Sequence, residues 1–196
     1  MVKKTLILLT LALVGVLAWI AAGSDQIAPI ARPAMRVAAP LGVAKVTAPV
    51  MRVPDAPRPM IIPVAGVDRS AIRDMFDEVR GNRRHEAIDI MAPRGTPVIA
   101  ADDGVVKRLF TSVPGGFTVY EFDPDERFCY YYAHLDGYAA GLHEGQVLRR
   151  GEVLGYVGTT GNAPKNAPHL HFALIRLDPD RRWWKGTYVN PYPLLR

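Results

Sequence analysis

The sequence predicts a mainly β fold: an antiparallel sheet of sandwich or barrel-like form carrying one short helix. Three observations point there. Short runs rich in Val, Ile and aromatic residues recur from residue 98 to 174, bounded by Gly, Pro or Asp. In the last run Leu170, Phe172 and Leu174 alternate with His169, His171 and Ala173, the period of two of a half-buried strand. No βαβ alternation interrupts the series, so a parallel sheet is not indicated.

Taken in order, residues 1–24 read as a signal peptide or N-terminal membrane anchor. Lys3 and Lys4 precede an uncharged run from Thr5 to Ala22, and Ala21-Ala22-Gly23 offers small residues for cleavage before Ser24. A run of this length is also the lower limit of a spanning helix, so attachment through residues 5–22 is a second option. Both readings place the remainder outside the cytoplasmic membrane, in the periplasm or cell envelope. No Cys follows the run to accept a lipid. Residues 25–60 hold seven prolines among Ala and Val without a period, which predicts an extended linker lacking a fixed fold. The folded domain is then 61–196.

Inside that domain Ile72, Met75, Phe76 and Val79 fall at i, i+3, i+4 and i+7, which predicts a short amphipathic helix. Asp68 or Ser70 would cap it and Gly81 would end it. Val98 to Ala101 and Val105-Val106 flank the turn sequence Asp102-Asp103-Gly104. Phe117 to Phe122 and Phe128 to Ala133 are separated by Asp123-Pro124-Asp125-Glu126, which predicts a hairpin. Val147-Leu148 and Val153 to Val157 surround a further turn, Arg150-Gly151-Glu152. Trp183, Trp184 and Tyr188 are expected to close the sheet core, as large aromatics do, with stacking on a substrate as the alternative.

The net charge of +5 belongs to the leader and linker. Seven basic and two acidic residues lie in the first 60, against 17 of each beyond them. A neutral domain lacks the basic face that nucleic-acid binding requires. The lone cysteine, Cys129, excludes an intrachain disulfide and leaves the core, or a bound metal, to stabilise an exported domain.

Four of the five histidines fall in three clusters. His169 and His171, two apart on a strand, project from one face. His85 and Asp89, four apart, share a face on a helix or a strand. A helical His85-Glu86-x-x-Asp89 would imitate the zincin pattern with Glu86 as base. The breakers Pro93, Gly95 and Pro97 leave no room for that helix and favour an extended segment. The third cluster is Tyr132-Ala133-His134-Leu135, where strict alternation places His134 on the face of Phe128, Tyr130 and Tyr132. His143 stands among glycines and reads as a loop residue. Imidazole is the commonest metal ligand and the side chain poised for proton transfer near neutral pH.

The ordered set resembles the lysostaphin/LytM-type zinc metallopeptidases, which cut peptidoglycan cross-link peptides. It comprises Arg83-x-His85-x-x-x-Asp89, Ala92-Pro93-x-Gly95-Thr96-Pro97-Val98, Asp103-Gly104-x-Val106, Tyr132-Ala133-His134-Leu135, Gly151-x-x-x-Gly155-x-x-Gly158-x-x-Gly161 and Pro168-His169-x-His171-Phe172. The resemblance implies a groove over the central sheet. It also implies one zinc ion per chain on His85, Asp89 and His171, with His134 and His169 as the catalytic pair. It further implies a monomeric endopeptidase whose partner is the peptide of peptidoglycan. Two positions depart from the pattern: Ala87 stands where Gly is common and Ala173 where Glu is common, which is expected to alter groove shape. Related domains that lose a ligand act as non-catalytic activators of other wall hydrolases; this chain keeps all five residues.

Overall fold

The computed structural model describes residues 56–196. The predicted signal or anchor, and all but the last five residues of the predicted linker, lie outside the described residues. Among the described residues no helix is long and apolar enough to cross a membrane.

Eleven strands follow one another: β1 (Val79–Arg80), β2 (Arg83–Arg84), β3 (Ile88–Met91), β4 (Pro97–Ile99), β5 (Gly104–Ser112), β6 (Gly116–Phe122), β7 (Phe128–Tyr138), β8 (Val147–Leu148), β9 (Val153–Val157), β10 (His169–Leu177) and β11 (Gly186–Val189). β1 and β2 form a small hairpin, and the other nine belong to one antiparallel sheet. Its main path runs β11-β10-β7-β6-β5-β8, with β3 on β10 and β9 bridging β7 to β4.

The centre of the sheet is the β6–β7–β10 triplet, where the aromatic and branched residues are densest, as a pleated half-buried surface favours. The β6–β7 hairpin closes as expected, because the Asp123 carboxylate accepts the backbone N–H groups of Arg127 and Phe128, both at 2.7 Å. The two faces have different fates. Tyr130, Tyr132, Leu170, Phe172, Ile88 and Ile90 point into the main core. Asp89, His169 and His171, which alternate with them, point to the other face.

The helix expected over Ile72–Val79 does not form. A single 3-10 turn, Arg69–Ala71, capped by Asp68 through the Ser70 N–H at 2.8 Å, gives way to extended backbone at Ile72. Ile72 is buried, but Val79 is 77% exposed in β1, and Gly81 (φ +64°) makes the hairpin turn instead of a helix stop. Docking of the 74–78 backbone against His85 and Glu86 takes the hydrogen bonds a helix would have used (His85 N to Glu78 O 2.8 Å, Glu86 N to Phe76 O 2.9 Å). The aromatic cluster also differs from expectation. Trp183 packs on Tyr120 and Phe110 (ring centroids 4.6 and 5.2 Å) in a satellite cluster on the site face, while Trp184 is 58% and Tyr188 42% exposed. The main core is already filled by Tyr132 and Phe172, so these late aromatics cover its opposite face.

Candidate metal centre and groove

β3 and β10 pair so that Asp89 lies directly across from His171. Cross-strand neighbours on one face are the closest side-chain partners a sheet offers. His85 enters from the segment before β3, and its nearly buried ring joins the same point. His85 Nε2 is 3.0 Å from Asp89 Oδ1, His171 Nδ1 is 3.1 Å from that oxygen, and the two ring nitrogens are 3.1 Å apart. This triangle is slightly tighter than the roughly 3.3 Å edge of a tetrahedron built on bonds of 2.0–2.1 Å. Two imidazoles and a carboxylate within one coordination radius could hold a metal ion. The second ring nitrogen of His85, Nδ1, lies 3.2 Å from Met75 O, a contact that aims Nε2 at Asp89 and His171. Burial disfavours charge on Asp89, but the hydrogen bonds from His171 and His85 outweigh it and hold its carboxyl well below the usual range. Burial likewise pushes the His171 imidazole down despite Asp89 beside it.

Glu86 has φ +55°, in the left-handed region, and Ile88–Met91 is a strand. The zincin-like helix is thereby excluded, and the extended alternative holds. The second oxygen of Asp89 is taken by Arg80 Nη2 at 2.8 Å. Arg80 carries no motif in sequence; only the hairpin register of β1 on β2 brings it here.

The other two histidines stand opposite. His134 and His169 have ring centroids 5.0 Å apart, and His134 lies 5.6 Å from His171. His134 does not share the face of Tyr132. The β6–β7 register shifts between Phe117 and Val119, and His134 takes φ +62°, so a bulge turns it to the site face while Leu135 returns to the core. A non-glycine residue held at positive φ beside a site is strained backbone that the surroundings must impose. Those surroundings are visible: His134 N donates to Gly115 O (2.8 Å), and Thr160 Oγ1 donates to Leu135 O (2.7 Å). His134 Nδ1 bonds Thr160 O at 2.9 Å and His169 Nδ1 bonds Ala167 O at 2.8 Å, which turns Nε2 of both rings away from the backbone. Burial, then the neighbouring His171 and His169, push His134 down to about 4, so it is neutral across the physiological range.

The glycine series explains itself at this bulge. A Cβ on Gly158 would strike the Asp136 backbone, and one on Gly161 (φ +71°) would strike the Gly116 backbone nitrogen. These close approaches press the 158–161 loop onto the bulge. Gly161→Ala is therefore expected to destabilise the domain by about 2 kcal/mol or more, read from urea denaturation midpoints.

A groove of about 440 Å³ opens over these side chains. The β1–β2 hairpin, the β5–β6 turn at Pro114-Gly115, Asn162 to Pro164 and Tyr188 bound it. Ala87 and Ala173 are fully buried and are not among its lining residues, so the expected effect on groove shape does not arise directly from them. His143 is an exposed loop residue bonded to Gly141 O, as expected.

Known proteins give this geometry a context. The chain is 37% identical over 121 residues to the L-Ala–D-Glu endopeptidase of Bacillus subtilis, a match covering 59% of this chain and 36% of that protein. It is 40% identical over 94 residues to the DD-carboxypeptidase/endopeptidase Mpg of Neisseria meningitidis, covering 46% and 20%. The chain thus spans about a third or less of these relatives. The catalytic domain of lysostaphin from Staphylococcus simulans superposes with a TM-score of 0.50 at 27% identity, over 58% of this chain and 80% of that one. The model of Peptidase family M23 matches residues 83–191, a span that begins at Arg83 and takes in all five clustered side chains and every strand from β3 to β11. With that match across more than half of its length, the chain belongs to peptidase family M23.

Proposed function

We propose that the protein is a zinc endopeptidase that hydrolyses peptide cross-links of peptidoglycan in cell-wall remodelling. The observation that carries this reading is the convergence of His85, Asp89 and His171 on one point, with His134 and His169 facing it across a groove. The endopeptidase names of the relatives support it.

His85 Nε2, Asp89 Oδ1 and His171 Nδ1 would hold the ion. When bound, zinc supplies a Lewis acid for the scissile carbonyl and a water of near-neutral pKa. The remaining work falls to the chain itself. The His134 and His169 pair, each oriented through Nδ1 by a backbone carbonyl, accepts the proton of the attacking water at Nε2. The resulting imidazolium faces the oxyanion as the C–O bond forms, and returns the proton to the amine as the C–N bond breaks. Arg80 holds the ligand carboxylate in place. Arg80→Ala is expected to lower zinc affinity by about tenfold, measured by competition with a chromophoric chelator.

The same reading assigns residues 1–24 as signal or inner-membrane anchor, 25–60 as linker and 61–196 as the catalytic domain of an exported, monomeric envelope protein. The test is digestion of purified peptidoglycan by the zinc-reconstituted protein. New amino termini within the stem or cross-link peptides are the expected product. Intact peptides after prolonged digestion would leave the non-catalytic, activator reading in its place.

A further inference from the structure

Three arginines border the groove, and two of them are already committed. Arg80 pairs with Asp89, and Arg84 pairs with Asp77 at 2.7 Å. Arg83 lies between them on β2, is exposed, and has no ion-pair or hydrogen-bond partner among the described residues. Arg84 is held by Asp77 at the groove's edge, and Arg83 lines the groove beside it. There it is close enough to act electrostatically on the hydroxyl of Tyr188, another groove residue. The one acidic side chain lining the groove, Glu86, acts on the same hydroxyl with opposite sign and also lacks a partner among the described residues.

A guanidinium left unpaired two residues from a metal-site histidine, at the rim of a groove, is a carboxylate receptor: its planar fork matches a carboxylate in two hydrogen bonds. We propose that Arg83 reads a free carboxylate on the peptide beside the scissile bond. The groove therefore selects acidic peptides over amidated or all-glycine ones, and Glu86 tempers that selection by like-charge repulsion. This inference rests on the peptidase reading and adds to it the charge class of the substrate. Arg83 is a specificity residue; the metal-site geometry does not depend on it.

The experiment uses two synthetic peptides of one sequence, one with the side-chain carboxylate next to the scissile bond free and one with it amidated. The zinc-reconstituted protein and its R83Q, R83K and E86Q variants are compared by the acid-to-amide ratio of kcat/KM, with zinc content and melting temperature measured alongside. A ratio of about ten is expected for the parent protein, the size of one partly exposed charge-assisted pair. It should collapse toward one in R83Q, recover in part in R83K, and rise in E86Q. These opposite movements in two neighbouring variants are not what a structural role would produce. A parent ratio near one, or a ratio unmoved by R83Q, overturns the proposal. If neither peptide is cleaved, the peptidase reading fails, and calorimetry with the same peptides still decides the subsite: equal Kd values for acid and amide overturn it.

Discussion

His171→Ala and His134→Ala will each reduce peptide cleavage by about a thousandfold or more, but only His171→Ala will release zinc. The asymmetry follows from position. His171 Nδ1 lies 3.1 Å from both Asp89 Oδ1 and His85 Nε2, so its loss leaves two ligands where a catalytic zinc needs three. His134 is tied to Thr160 O through Nδ1 and makes only ring contacts with His171 and His169. On the proposed reading its loss removes a proton acceptor from beside the metal site and leaves the His85–Asp89–His171 triangle intact. Metal content by atomic absorption and turnover of a defined peptide separate the two effects. Zinc retained in His171→Ala, or full turnover in His134→Ala, would refute the assignment. Glu86→Gln, by contrast, should retain turnover, because a residue at φ +55° beside a strand is not placed as a zincin base.

Glu121→Gln will make the domain's stability much less sensitive to pH. Glu121 is fully buried on β6. Tyr132 donates to its Oε2 at 2.6 Å, and Oε1 has no partner among the described residues. Burial pushes this carboxyl up to about 8, against the partial relief of the Tyr132 hydrogen bond. The unfolded chain releases the proton near its ordinary value of 4.5, but the folded chain holds it until about 8. Between those values the native state binds more protons than the unfolded state, so stability falls as pH rises through the window and levels off above it. The loss is on the order of 3–5 kcal/mol across the window. Gln carries no proton to lose. Thermal melting from pH 5 to 8.5 should show the parent losing roughly 10 °C relative to the variant across the window. Parallel profiles would show that Glu121 is ionised in the fold.

Much of the candidate site was legible in the sequence. Paired histidines on a strand of period two, an extended His85–Asp89 segment and a Tyr132-to-Leu135 element each carry local information, because side-chain direction on a strand follows from alternation alone. The His169/His171 face is where that logic places it. The same logic failed at two points for physical reasons. The 72–79 segment has helical spacing, but its backbone hydrogen bonds are taken by docking against His85 and Glu86, so a tertiary contact overrides a local period. At His134 a single bulge reverses the face.

The sequence by itself therefore determined the fold class, the shared face of His169 and His171 and the neutrality of the domain, because composition and period survive without knowledge of contacts. Tertiary structure alone decided the rest. It turned His134 toward the groove by a bulge that the 158–161 loop holds in place. It set Arg80 on Asp89 through a two-residue hairpin, and left Arg83 unpaired at the rim. Each of these depends on which backbone lies opposite which, and a pairing register leaves no mark in a local pattern.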